Sequence, residues 1–227
     1  MAPKGGVDVE SLPEARYVAE RIAGSTLTVV PGRDYLPWIG DQEALIAEIA
    51  SFASSTGQPS VPDRVLLTVL FTDIVDSTAA LARLGDRRWR ELLATHDHVT
   101  QHAIERNRGR AVDHTGDGTF ATFDGPARAV QCAHEILHQL RAKDLQLRAG
   151  IHTGECEVDG ARVSGITVHT GARIAALAGP GEILVSRIVT ELVAGSGLGF
   201  AERGVEHLKG VPGDWALFTV DDSTVEA

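Results

Sequence analysis

Residues 65–78, V-L-L-T-V-L-F-T-D-I-V-D-S-T, combine a nearly unbroken apolar run with acidic and hydroxyl side chains at its end. The run has strand length and contains β-branched and aromatic residues, which predicts a central strand buried on both faces. Asp73 stands where the apolar run ends, and Ser77 and Thr78 follow at the predicted start of a helix. A carboxylate beside the N–H groups of a helix start suits a metal ion that must contact phosphates. The alternative is that Asp73, Asp76 and Ser77 only cap a helix.

Composition restricts the class of protein and of partner. The chain has 227 residues, a length that is enough for one sizeable domain and a shorter additional segment. Its apolar content of 43% is enough to form a hydrophobic core. A formal net charge of -10 argues against nucleic acid or an anionic membrane as the main partner. No apolar run reaches the length of a membrane span, and no signal peptide is recognisable. Cys132 and Cys156 are solitary, which favours a cytoplasmic location and predicts no thiol metal site.

Residues 1–55 are typical of a fragment rather than of a whole domain. The pattern predicts a helix over 13–22, a short strand over 27–30 and an amphipathic helix over 41–52. This succession resembles the closing strand, loop and helix of an α/β-hydrolase. Tyr35 stands where that family has its catalytic His, and no G-x-S-x-G precedes it, which predicts a non-catalytic remnant. An unrelated pair of docking helices is the alternative.

A small, polar, proline-punctuated linker over residues 56–63 separates this segment from a main domain over 64–221, which a tail over 222–227 follows. After the first strand, the patterns predict a short helix to Gly85 and a long helix over 86–107. The remaining predicted elements are strands at 109–114 and 119–123, a helix over 125–143, a strand over 145–152 with a turn at Gly154 and a strand at 155–158, a helix within 165–177, a strand at 182–185, a helix over 186–193 and strands near 200–208 and 215–220. This order predicts an α+β fold, a ferredoxin-like βαββαβ sandwich with C-terminal additions.

Two acidic residues far apart in sequence are expected to meet in this topology. The predicted hairpin turn 115–118 contains Asp117, and the first strand ends at Asp73 beside that hairpin. Two such carboxylates are stable together only with cations between them, which predicts a pair of Mg²⁺ ions that also contact phosphate. Alternatively, Asp117 is a plain turn residue. For His96 and Asp97, the helical pattern predicts a core histidine and a solvated carboxylate rather than a metal cluster.

Four motifs in fixed order carry a specific resemblance. They are F-T-D-I-V-x-S-T at 71–78, T-G-D-G-T-F at 115–120, G-x-x-V-H-x-x-A-R-I-A-A-L-A-G-P-G-E-I-L-V-S at 165–186 and L-K-G-V-P-G at 208–213. In this order and spacing they resemble the catalytic domain of class III adenylyl and guanylyl cyclases, and bacterial soluble members most of all. The resemblance implies conversion of a nucleoside triphosphate to a 3′,5′-cyclic nucleotide and pyrophosphate. It also implies a homodimer with an active site built between two subunits.

The resemblance assigns roles to individual residues. Asp73 and Asp117 would hold two Mg²⁺ or Mn²⁺ ions per active site, with the Ile74 carbonyl assisting one. Arg173 of the partner subunit would neutralise charge on the α-phosphate, as an arginine finger does. The residues implied to bind the phosphates are Ile74, Val75, Asp76, Ser77, Thr78 and Lys209.

Two departures from the family pattern concern the ribose and the phosphates. His169 replaces an Asn that orients the ribose in many members, and a His can also donate a hydrogen bond. Asp76 stands where Gly is frequent. Its carboxylate would repel phosphate unless the side chain turns back to cap the helix.

The third departure concerns the base. Asp113 and Arg162 occupy the positions that are Lys and Asp in adenine-using members, and this polarity suits guanine. The two charges could instead pair with each other, or Asp159 could replace Arg162. Because most bacterial relatives use ATP, we expect ATP as the substrate, with GTP as the alternative. A degenerate cyclase that binds nucleotide without turnover is a further alternative.

Overall fold

The computed structural model describes residues 11–22, 25, 27, 42–55, 63–114 and 116–225. The chain divides into two compact units, Met1–Val61 and Pro62–Ala227. The first unit contains helices α1 (Ser11–Ala19) and α2 (Gln42–Ser55). Tyr35 and most of the strand predicted over 27–30 lie outside the described residues. The resemblance of this segment to a hydrolase therefore stays a prediction.

The second unit has the α+β order predicted from the sequence. Its elements are β1 (Asp63–Ile74), α3 (Ser77–Arg106), β2 (Arg110–His114), β3 (Gly118–Phe123), α4 (Pro126–Arg141), β4 (Leu147–Asp159), β5 (Arg162–Ser164), α5 (Ile166–Leu177), β6 (Ile183–Ser186), α6 (Arg187–Leu192), β7 (Phe200–His207), β8 (Asp214–Val220) and a short 3-10 helix (Asp222–Thr224). The predicted break in α3 is confirmed, because Gly85 has non-helical φ and ψ of 74° and 161°. No described helix is long and apolar enough to cross a membrane.

The sheet has the strand order β2-β3-β1-β4-β6-β8-β7, with β5 paired to β4. β1 is antiparallel to both β3 and β4, and β4 runs parallel to β6. The first four strands, in the order β2-β3-β1-β4, form the βαββαβ core, and β6, β8 and β7 extend it. The fold class predicted from the sequence is confirmed. β1 lies between two neighbours, as predicted. Burial on both faces is confirmed only for its second half, because Leu66 is 61% exposed whereas the residues from Thr68 to Ile74 are buried or half-buried.

Helices α3 and α4 cover one face of the sheet. The helical periodicity of the sequence predicts an apolar side of α4, and this is confirmed, since all of its members are buried: Ala129, Val130, Cys132, Ala133, Ile136, Leu137 and Leu140. They pack in one core with Leu70 of β1 and Ile151 of β4. Complete burial of a Leu or Ile side chain contributes about 1.5–3 kcal/mol to folding. Hydrophobic burial therefore holds β1 in the middle of the domain.

Helix α5 packs on β4 so closely that its contact excludes a side chain. A Cβ added at Gly150 of β4 would lie 2.1 Å from the backbone nitrogen of Ala175. The sequence pattern predicts that Val168, Ala172, Ala175 and Ala176 of α5 face inward. This is wrong in part, because Ala175 is buried, Val168 and Ala172 are half-buried and Ala176 is exposed. The buried residues of α5 are Thr167, Thr170, Gly171, Ile174 and Ala175.

The turn predicted at Gly154 is wrong, because β4 continues through it as one strand from Leu147 to Asp159. Antiparallel pairing with β1 spans the position, since Gly154 lies opposite Leu67. A Cβ at Gly154 would lie 2.6 Å from Thr167 Oγ1 of α5. Gly154 therefore permits close packing of a helix and does not reverse the chain.

Candidate active site

The end of β1 places Asp73 between two strands. In the antiparallel registers, Asp73 lies opposite Gly118 of β3 and opposite Arg148 of β4. The next residue, Ile74, donates its N–H to the carbonyl oxygen of Asp117 at 3.1 Å. The backbones of Asp73 and Asp117 are therefore neighbours across the β1–β3 pair, although the two residues are far apart in sequence. Asp73 and Asp117 are both half-buried.

Arg148 binds the carboxylate of Asp73 directly, which the sequence analysis missed. Its Nε donates to Asp73 Oδ2 at 3.0 Å, and its Nη2 contacts the same oxygen. Its Nη1 donates to the carbonyl oxygen of Ala176 in α5 at 3.2 Å. About a third of each charged side chain is exposed, 31% for Arg148 and 34% for Asp73. Only the β1–β4 register identifies this pair, and no local motif signals it.

A cavity of about 720 Å³ opens beside this ion pair. It falls in the size range of small-molecule sites, which is about 300–1,000 Å³. Asp73, Gly118 and Arg148 line one part of it. Phe71 and Phe120, whose rings stack at 4.5 Å, supply apolar surface. The cavity therefore offers an apolar wall beside charged groups, an arrangement that suits a ligand with both a flat ring and phosphates.

Both residues predicted to select the base, Asp113 and Arg162, line the same cavity. They are exposed, and no ion pair joins them within the described part of the chain. Asp113 Oδ1 accepts a hydrogen bond from the N–H of His114 at 2.8 Å. Asp159, the alternative to Arg162, is exposed and pairs with Arg162 in the β4–β5 register. The structure therefore leaves the Arg162 guanidinium and one oxygen of Asp113 available to a ligand.

The loop predicted to bind phosphate runs from Ile74 into the start of α3. Two of its backbone N–H groups already donate within the chain, Ile74 to Asp117 at 3.1 Å and Val75 to Gln146 at 2.8 Å. The first N–H groups of a helix have no acceptor inside the helix. The donors that remain for an anion therefore belong to the helix start, where Ser77 is the first helical residue.

Asp76 precedes α3 as its N-cap residue in the left-handed region, with φ of 53°. This conformation favours glycine. The side chain of Asp76 makes no capping hydrogen bond, so the alternative that Asp76 caps the helix is wrong. The Asp76 carboxylate is exposed beside the predicted phosphate loop.

The remaining predicted residues lie outside this cavity. His169 and Arg173 are exposed on α5, and Lys209 is exposed in the turn after β7. Among the described residues none of these three lines the cavity, and neither do Asp117 and residues 74–78. One chain therefore places Asp73, Asp113 and Arg162 around one cavity, but not the predicted catalytic pair.

The donor atoms around Asp73 fit a hard divalent cation. Asp73 has a carboxylate and Ile74 a backbone carbonyl at this strand end, and the backbone of Asp117 lies beside them across the β1–β3 pair. Oxygen atoms of these kinds are the ligands that Mg²⁺ prefers. Arg148 currently neutralises Asp73, which shows that this carboxylate accepts a cationic partner.

A second polar cluster lies between α3 and the β2–β3 hairpin. The prediction of a buried His96 is confirmed, but the prediction of a solvated Asp97 is wrong, because Asp97 is half-buried and hydrogen-bonds with both His96 and His114 of β2. Burial lowers the pKa of His96, and its hydrogen bond with Asp97 opposes this effect. Burial raises the pKa of Asp97, but hydrogen bonds with His96 and His114 outweigh it and lower the pKa.

Other buried titratable groups lie away from the cavity. Burial lowers the pKa of His152 to about 4, and its Nδ1 lies 2.7 Å from Ser186 Oγ. Burial raises the pKa of the Cys132 thiol to about 12 and also raises that of Cys156. Neither thiol is therefore an activated nucleophile.

Residues 62–221 match the family described as the adenylate and guanylate cyclase catalytic domain. The match covers more than half of the chain. The chain therefore belongs to this family, the class III family that its four motifs predicted.

Known relatives agree with this assignment. The chain is 29% identical over 157 residues to putative adenylate cyclase 3 of Rhizobium meliloti (strain 1021), a match that covers 65% of this chain and 27% of that protein. The chain thus spans about a quarter of the length of that relative.

Solved structures share the fold. The adenylyl cyclase CyaB from P. aeruginosa superposes with a TM-score of 0.63 at 22% identity, covering 70% of this chain and 95% of that one. The adenylate/guanylate cyclase/hydrolase from Silicibacter pomeroyi gives a TM-score of 0.58 at 27% identity, covering 70% and 97%.

Proposed function

We propose that this chain is a nucleotide cyclase that converts ATP to 3′,5′-cyclic AMP and pyrophosphate. The observation that carries the proposal is that Asp73 lines a cavity of about 720 Å³ and has the backbone of Asp117 beside it across the β1–β3 pair. The name of the Rhizobium meliloti relative, a putative adenylate cyclase, supports ATP as the substrate.

The reaction is an in-line displacement at the α-phosphorus. The 3′-oxygen of the ribose forms a bond to that phosphorus and loses its proton to solvent. The bond from the α-phosphorus to the oxygen that bridges to the β-phosphate breaks, and pyrophosphate leaves with the electron pair. Two Mg²⁺ or Mn²⁺ ions, held by Asp73, Asp117 and the Ile74 carbonyl, would supply positive charge beside the phosphates.

The protein's own groups position the substrate and stabilise its charge. N–H groups at the start of α3 donate to the β- and γ-phosphates, where the helix dipole also favours an anion. Lys209 contacts the phosphate tail. Arg173 donates to the oxygens of the α-phosphate as negative charge develops on them, and His169 hydrogen-bonds the ribose. In this proposal the 3′-oxygen and the α-phosphorus are brought into line by these contacts.

A homodimer completes the site in this proposal. His169 and Arg173 are exposed on α5 and do not line the cavity that contains Asp73. A second subunit that supplies both residues gives two equivalent sites per dimer. Equal amounts of Asp73→Ala and Arg173→Ala chains, mixed after separate purification and subunit exchange, should recover about a quarter of wild-type activity. Each variant alone stays inactive, and a mixture that is also inactive would contradict the shared site.

Product analysis tests the activity itself. Purified protein is incubated with ATP and with GTP in parallel, with Mn²⁺, and the products are separated by chromatography. Asp73→Ala and Asp117→Ala should each lower turnover by at least about 100-fold, because each removes a charged ligand. Asp124→Ala is the matched control, since this exposed carboxylate pairs only with Arg128 among the described residues. Turnover that survives both Asp73→Ala and Asp117→Ala would refute the metal assignment.

GTP is the second candidate substrate, favoured by Asp113 and Arg162, which line the cavity and are not joined to each other by an ion pair among the described residues. Guanine presents N–H donors to an acid and its O6 to a cationic donor, whereas adenine offers the opposite polarity. The double variant with Asp113→Lys and Arg162→Asp should therefore favour ATP. We expect the kcat/KM for ATP divided by the kcat/KM for GTP to rise by about 10-fold or more. An unchanged ratio would show that these side chains do not read the base. If the wild type turns over neither nucleotide, the chain is a degenerate, nucleotide-binding member of the family.

A further inference from the structure

Three side chains that commonly ligate transition metals meet between α3 and β2. His96 Nδ1 and His114 Nε2 each lie 3.0 Å from the same oxygen, Asp97 Oδ1. One ligand atom from each residue lies within 4.8 Å of the others. Ligand atoms around a tetrahedral zinc ion, with bonds of about 2.0–2.2 Å, are separated by about 3.4 Å. Small side-chain shifts would therefore place all three atoms around one ion.

We propose that His96, Asp97 and His114 bind one Zn²⁺ ion through a ligand set that includes neither Asp73 nor Asp117. Two imidazole nitrogens and one carboxylate oxygen are a frequent three-residue zinc set, with a water as the fourth ligand. The side chains of Asp97 and His114 are 49% and 36% exposed, whereas His96 is 0% exposed. The ion can therefore enter from solvent and rest against a buried imidazole.

The surroundings of His114 can orient it as a zinc ligand. Its Nδ1 lies 3.2 Å from Thr119 Oγ1, on the ring side opposite the proposed zinc-binding Nε2. A metal-bound histidine usually donates its other ring N–H to an oxygen, which orients the ring and selects the tautomer. In this structure Nε2–H donates to Asp97; when Nε2 binds the ion instead, the ring takes the Nδ1–H tautomer and Thr119 Oγ1 accepts the hydrogen bond.

The burial of His96 decides which of its nitrogens can bind the ion. Its Nε2 is buried and has no hydrogen-bond partner among the described residues, so hydrogen bonds satisfy the imidazole on one side only. That side is Nδ1, which lies 3.0 Å from Asp97 Oδ1 and would bind the ion, while Nε2 stays without a partner. The ion would also link α3 to the β2–β3 hairpin, because His96 and Asp97 lie on α3 and His114 lies on β2.

Zinc binding is measured by competition with a fluorescent chelator, using the full chain with Asp73→Ala to remove a carboxylate of the candidate active site. We expect one tightly bound Zn²⁺ per chain. Adding His114→Gln or Asp97→Asn should weaken this binding by at least about 100-fold, because loss of even an outer-shell partner costs 10–100-fold. No nucleotide is present, so the result does not depend on cyclase activity.

The controls are two other histidine pairs one helical turn apart. The rings of His98 and His102 stack at 6.5 Å, and those of His134 and His138 stack at 6.0 Å. His98→Gln and His138→Gln should leave the tight site unchanged. Zinc binding that is absent, that survives His114→Gln, or that is lost with either control variant overturns the proposal.

A measurement on unmutated protein covers the case in which a variant misfolds. Co²⁺ replaces Zn²⁺ in tetrahedral sites and then shows intense visible absorption, whereas six-coordinate oxygen sites absorb weakly. We expect the intense bands at one equivalent of Co²⁺ and their loss when Zn²⁺ is added. Weak absorption at that ratio would refute a tetrahedral site.

Discussion

Arg148 and Asp73 form an ion pair across the β1–β4 register, with Arg148 Nε 3.0 Å from Asp73 Oδ2. The Arg148 guanidinium therefore binds the same carboxylate that ligates a divalent ion in the proposed reaction. The pair is about one-third exposed, and such pairs contribute about 0.2–1 kcal/mol. Arg148 therefore competes with metal at Asp73, but a divalent ion can displace it.

Replacing Arg148 by Met should tighten metal binding at Asp73. The substitution removes both a competing partner and a positive charge, so the Kd for Mn²⁺ should fall by about 3- to 10-fold. Electron paramagnetic resonance of free Mn²⁺ measures this Kd without any turnover. Arg128→Met is the control, because it breaks a different Asp–Arg pair, with Asp124. Weaker Mn²⁺ binding by Arg148→Met would show that Arg148 supports the carboxylate instead.

Replacing Asp76 by Gly should improve the binding of triphosphate. Asp76 has a left-handed backbone and an uncapped, exposed carboxylate next to the predicted phosphate loop. Glycine adopts that backbone without strain, and its introduction removes a negative charge. We expect KM for ATP to fall by about 3- to 10-fold.

Asp76→Asn separates the two effects, since it removes the charge and keeps a side chain that tolerates the left-handed region. It should reproduce most of the change in KM. A KM that rises in both variants would mean that Asp76 assists substrate or metal binding.

Replacing Gly150 by Ala should destabilise the domain. The added Cβ would lie 2.1 Å from the backbone nitrogen and 2.5 Å from the Cα of Ala175, and backbone atoms of a packed helix cannot move aside cheaply. We expect a loss of about 2–3 kcal/mol in the free energy of unfolding, measured by urea denaturation.

Gly125→Ala is the matched control, because its added Cβ meets nothing within 4 Å and its φ of -160° suits any residue. As the N-cap position of α4, it should change stability by less than about 1 kcal/mol. Equal effects of the two substitutions would contradict the tight contact between α5 and β4.

The stability of the domain should depend on pH through His152. Burial lowers its pKa from 6.5 to about 4, so the unfolded chain takes up the proton first as the pH falls. The stability from a neutral His152 is complete above pH 6.5 and is lost as the pH falls to about 4. The loss should amount to about 3 kcal/mol.

Urea denaturation at several pH values checks this prediction against His152→Gln, which retains a donor for Ser186 Oγ. The variant should lack this part of the pH dependence between pH 6.5 and about 4. Equal slopes in the variant and the wild type would show that His152 is not protonated differently in the two states.

Patterns within a few residues were sufficient for much of the fold. The apolar run before Asp73 predicted a central strand, and helical periodicity predicted every buried residue of α4. These features are local, because side-chain spacing of 2 or 3.6 residues follows from the backbone geometry of one element. Gly154 shows the limit of that reasoning. From the sequence alone, this glycine suggested a turn. Only the position of helix α5 shows that the glycine permits close packing within a continuous strand.

The sequence alone determined the order of the elements, the family and the residues expected at the site. Tertiary structure decided which side chains meet: Arg148 with Asp73, and His114 with Asp97. Each pair joins separate elements, and its contact depends on strand register or on how a helix lies on the sheet. Register and helix placement are set by packing over the whole domain, so neither contact is encoded in any single stretch of the chain.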